Sequence, residues 1–64
     1  RSGSLCQTLG AWFSENCQAE RTARKLGIHR NTLDYRLRQI SEITGLDLGR
    51  MDARLMLYAA LQLE

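Results

Sequence analysis

A chain of 64 residues, 44% hydrophobic and 25% charged, fits one small globular domain and excludes a disordered tail. Its net charge of +2 is unevenly spread: residues 21–38 hold six basic side chains against Asp34 alone, a local balance of +5, while the remainder sums to −3. Such a basic segment is the footprint expected of a phosphate-binding surface, while two cysteines and one histidine without zinc-like spacing exclude a metal module.

No cofactor is implied, no run is long and apolar enough to cross a bilayer, no signal peptide is expected, and the cysteine usage fits a reducing cytoplasm. With no proline, and glycine only at 3, 10, 27, 45 and 49, the periodicity is helical throughout and predicts a single all-α domain of four helices. Residues 1–4 read as linker or tag remnant. Ser4 and Gln7 are spaced as a capping box, and Leu5, Leu9, Trp12 and Phe13 recur at helical spacing. A first helix over 5–15 follows, with Asn16 as its left-handed stop. Trp12, Phe13 and both cysteines are expected in or near the core.

A second helix over 18–26 buries Ala19, Ala23 and Leu26, and the small Ala23 permits a close crossing by the next helix. Gly27 supplies the positive φ of a turn, and Ile28 plugs it. A third helix over 30–44 turns Leu33, Leu37, Ile40 and either Ile43 or Thr44 inward. Gly45 ends it, and Leu46 and Leu48 pack back. A fourth helix over 50–63, with Asp52 favourable in its first turn, is apolar on nearly every side. So small a domain cannot bury all of that helix, which predicts a contact outside the chain: a second copy or the rest of a larger protein.

Within Ala23–Leu33 stand a short amphipathic helix, a glycine turn and the basic start of a second helix, the layout of a DNA-binding helix-turn-helix. At 100° per residue, Asn31, Tyr35, Arg38 and Glu42 lie opposite the buried stripe of the third helix, with Arg30 and Asp34 on one edge and Thr32, Arg36 and Gln39 on the other. Asn31, Asp34 and Tyr35 are the expected base readers: Asn pairs bidentately with adenine, and Asp accepts from cytosine N4. Arg30 and Arg38 suit guanine or phosphate. Arg21, Arg24, Lys25, Thr32 and Arg36 suit phosphates. His29 reads either as a phosphate or base contact or as a helix-start residue whose ring caps backbone groups, and Tyr35 either enters the groove or lies half-buried against the second helix.

The segment Ala23–Leu33, continued by Tyr35-Arg36-Leu37-Arg38 and Gly45-Leu46-Asp47-Leu48, resembles the C-terminal helix-turn-helix of PucR-like bacterial transcription regulators, and within them the carbohydrate-diacid (sugar-diacid) regulators. Leu9, Ala11-Trp12-Phe13 and residues 57–63 extend the resemblance over nearly the whole chain. The core motif is also similar to the helix-turn-helix of the Fis nucleoid protein and of σ54 activators. That likeness implies DNA contacts at His29, Arg30, Thr32, Tyr35, Arg36 and Arg38. Asp34 and Tyr35 depart from Fis, where basic residues stand, and favour a sequence-specific regulator. The resemblance implies an operator-binding domain attached to an N-terminal effector-sensing region. Its expected partners are double-stranded DNA and a second copy. An enzyme is not expected, since the sequence offers no carboxylate pair in apolar surroundings, no nucleophile with a base, no phosphate-cradling glycine loop and no metal cluster. The alternatives are a helical dimerisation or interaction module, or a nucleoid-type DNA binder.

Overall fold

Gly27 (φ 69°) and Gly45 (φ 73°) both take the left-handed backbone conformation, which costs an ordinary side chain roughly 1–2 kcal/mol. They end the second and third of four helices in the computed structural model, which describes residues 3–63: α1 (Gly3–Ser14), α2 (Ala19–Leu26), α3 (Arg30–Thr44) and α4 (Met51–Gln62). The described residues are all-helical, without strands. α1 begins earlier than the Ser4/Gln7 capping box implies, so Ser4 lies in its first turn, where its carbonyl accepts from Thr8 Oγ1 at 2.8 Å. Arg1 and Ser2, part of the expected linker, lie outside the described residues.

The α1–α2 turn rests on two left-handed residues, Asn16 (φ 57°), as its sequence suggests, and Cys17 (φ 60°), which carries a β-carbon into a conformation such residues seldom adopt. The strain closes the helix end: the Cys17 N–H donates to the Trp12 carbonyl at 2.8 Å and the Asn16 N–H to that of Phe13 at 3.0 Å. Burial raises the Cys17 thiol above its ordinary range, against a smaller lowering by Arg54, so the side chain stays a neutral, half-buried packing group.

α1 is the hub, packing on α2, α3 and α4, and α3 packs on α2 as well. Leu9, Trp12, Ile40 and Leu57 form the buried cluster, with Leu5, Phe13, Leu37, Leu46 and Leu48 packed around it. Thr8 and Thr22, absent from the expected core, are fully buried. Each hydroxyl donates to the carbonyl four residues back, Ser4 and Gln18, so neither leaves an unpaired polar atom. Ala19 and Leu26 are only half-buried, and both candidates for the inward position at the end of α3, Ile43 and Thr44, are exposed. Both border an open apolar groove between α1, α3 and α4, while Leu46 and Leu48 pack back against the core as the sequence predicts.

α4 is docked by one polar group that periodicity does not reveal. The Arg54 guanidinium lies 5.1 Å from the Trp12 ring centroid, and its Nε donates to the Leu48 carbonyl at 2.7 Å. Gly10 faces the end of this helix: a β-carbon there would meet only Leu61 Cδ2, at 3.7 Å, an ordinary contact. Gly10→Ala is therefore expected to stabilise the domain by about 0.5–1 kcal/mol through helix propensity. A higher urea midpoint checks this; a lower one would show that α4 needs the closer approach.

Candidate nucleic-acid interface

α2, the turn Gly27-Ile28-His29 and α3 form the helix-turn-helix. The Ile28 N–H donates to the Ala23 carbonyl at 3.0 Å, pulling the turn back onto α2, and Ala23 itself is buried. His29 is the N-cap of α3: its Nδ1 accepts from the Asn31 N–H at 3.0 Å. Accepting at Nδ1 puts the ring proton of the neutral imidazole on Nε2, leaving that nitrogen as the donor. The capping role and a phosphate contact thus use different nitrogens and are compatible.

With Leu33 and Ile40 buried and Leu37 half-buried, α3 presents Asn31, Thr32, Tyr35, Arg38 and Glu42 to solvent. Tyr35 is 57% exposed and so is not packed against α2. Arg38 has no ion-pair partner among the described residues. Arg36 turns away from this face: it is half-buried, with Nη1 3.4 Å from the hydroxyl of Thr8 on α1.

The basic residues of α2 divide between its two flanks. Arg21 and Lys25 converge on Glu15, at 3.2 and 3.7 Å, on the side facing the end of α1. Glu20 and Arg24 share the other flank, where Glu20 reaches across to α3 and pairs with Arg30 at 3.0 Å. Arg24 is exposed and has no acidic partner among the described residues. Arg30 also donates through Nε to Asp34 at 3.1 Å, and this hydrogen bond to the carboxylate is the main cause raising the guanidinium above its ordinary pKa. Two residues expected to meet DNA, Arg30 and Asp34, are therefore bound to each other, with Glu20, a residue not expected at the site, as third member. The i,i+4 spacing of 30 and 34 carried the signal for their pairing; the reach from 20 to 30 carried none.

Among the described residues no helix is long and apolar enough to cross a membrane, and no group of three or more His, Cys, Asp or Glu is placed to hold a metal ion.

Residues 5–63 match the family model of the PucR C-terminal helix-turn-helix domain. The chain is 60% identical over 63 residues to the carbohydrate diacid regulator of Escherichia coli K12, covering 98% of this chain and 16% of that protein. Two Bacillus subtilis proteins are also similar. The proline-responsive transcriptional activator PutR is 42% identical over 97% of this chain and 15% of its own length. The purine catabolism regulatory protein is 36% identical over 95% and 12%. The chain thus spans about a sixth or less of the length of these relatives. No solved structure matches it significantly.

Proposed function

The chain belongs to the PucR C-terminal helix-turn-helix family, and we propose that it reads a specific double-stranded operator through the outer face of α3. The observation that carries this reading is the exposed row Asn31, Tyr35, Arg38, set on a helix whose start is fixed by the His29 cap and flanked by the exposed Arg24. Asn31, Asp34, Tyr35, Arg38 and Arg30 are the proposed base readers. Arg24, His29 and Thr32 are the proposed phosphate contacts, with Arg21, Lys25 and Arg36 more peripheral because Glu15 and Thr8 engage them. The identity to a carbohydrate diacid regulator supports a role in sugar-diacid metabolism, with the effector sensed by a region outside these 64 residues, in the cytoplasm. No catalytic role is proposed.

The exposed apolar face of α4, with Met51, Leu55, Met56, Tyr58 and Leu63, supports a working unit larger than one copy. A homodimer would set its recognition helices about 34 Å apart, one turn of duplex. The same face favours a second reading, a helical interaction module without DNA. Titration of random-sequence duplex at 50 and 200 mM salt, roughly the range over which phosphate contacts weaken, separates the two. DNA binding predicts micromolar or tighter affinity at low salt and a steep loss at high salt. Arg24→Ala should weaken all duplexes alike and flatten the salt slope by about one ion. No binding at low salt leaves the interaction module.

A further inference from the structure

We propose that Glu20 is a specificity-determining residue: from α2 it holds Arg30, together with Asp34, so that the guanidinium serves a base edge and not a stray phosphate. This rests on the DNA-binding reading above. The geometry is a two-sided clamp. Asp34 Oδ1 takes the Nε hydrogen at 3.1 Å and Glu20 Oε2 takes one from Nη1 at 3.0 Å. Three of the five guanidinium hydrogens remain, both on Nη2 and one on Nη1, which suffices for a bidentate bond to guanine O6 and N7.

Charge gives the clamp its selective effect. Arg30 and its two carboxylates sum to −1, so the trio itself offers a phosphate no net attraction. A duplex offering a guanine acceptor to Nη2, or a cytosine amine to Asp34, does not depend on that attraction. Freed from Glu20, Arg30 keeps only Asp34, so the local charge rises from −1 to 0 and the Nη1 hydrogen that Glu20 held becomes available to a phosphate on any sequence. Glu20 is 71% exposed at its side chain, so the pair contributes little to folding. Removing it should alter recognition while leaving the fold intact.

The test compares the 64-residue chain with Glu20→Gln on two probes: a random-sequence duplex pool, and a duplex enriched from that pool by the unmodified chain. Glu20→Gln should bind the random pool about three- to fivefold more tightly and steepen its salt slope by about 0.9, with a smaller change on the enriched duplex, so that discrimination falls. Glu15→Gln adds the same charge away from Arg30; by freeing Arg21 and Lys25 it should tighten both probes alike and leave their ratio unchanged. In an Arg30→Gln background the effect of Glu20→Gln on discrimination should vanish. An unchanged ratio on the two probes, or an equal effect without Arg30, overturns the proposal while leaving DNA binding in place. Failure of the unmodified chain to bind either probe overturns both.

Discussion

Leu33→Ala is expected to cost about 3–5 kcal/mol, the upper part of the range for a buried leucine truncated to alanine. Leu33 is fully buried on the inward face of α3, the helix that packs on both α1 and α2. The loss combines the transfer energy of the side chain with a cavity that the flanking helices cannot readily close. A 64-residue domain holds on the order of 3–10 kcal/mol in all, so this one change removes a large share of its stability. Urea denaturation followed by helical circular dichroism reads the loss directly. A cost below about 1.5 kcal/mol would mean that the helices collapse onto the gap and that α3 is not rigidly seated. DNA binding by this variant should fall with the folded fraction, not through any lost contact.

Asn31→Ala is the second large effect, and it is of another kind. Asn31 is exposed in the first turn of α3, where its own N–H is tied to His29 Nδ1, so its side chain leaves the helix from a fixed point. Stability should hardly change. Affinity for an enriched duplex should drop by roughly 1–3 kcal/mol at the base pair it reads, with random duplex little affected. Single-base variants of the enriched duplex, measured against both proteins, identify that pair: its substitution should cost the unmodified chain affinity and Asn31→Ala almost none. An equal loss on enriched and random DNA would place Asn31 on the backbone instead and rotate the proposed reading face.

Local rules make much of this domain legible in its sequence. Gly27 and Gly45 mark positive-φ helix ends because little else tolerates that conformation, and the spacing of Leu33, Leu37 and Ile40 fixes which side of α3 faces inward. His29 was legible only as a choice, since a ring at a helix start caps or contacts with equal ease in sequence terms. Other features lie beyond local rules. Thr8 and Thr22 are polar by type, and only their bonds to carbonyls of their own helices make burial inexpensive. Arg54 meets Trp12 from a helix far along the chain, and Glu20 meets Arg30 across the turn, so no periodicity contains either pair. Ile43 shows the limit of a stripe: it continues the apolar spacing of α3, yet it is 71% exposed and borders an open apolar groove between α1, α3 and α4 instead of entering the core.

The same comparison separates the two candidate surfaces. The outer face of α3 is polar and adjoins the exposed Arg24, whereas the outer face of α4 is mostly apolar, its one acid, Asp52, paired with Arg50 at 3.1 Å at the helix start. Nucleic acid suits the first and a protein surface the second.

Amide chemical-shift mapping of the 64-residue chain against an enriched duplex tests the central claim most directly. The largest perturbations are expected along Asn31, Thr32, Tyr35 and Arg38, with a second group at Arg24 and His29. Perturbations confined to α4, with the exposed face of α3 unmoved, would contradict that claim.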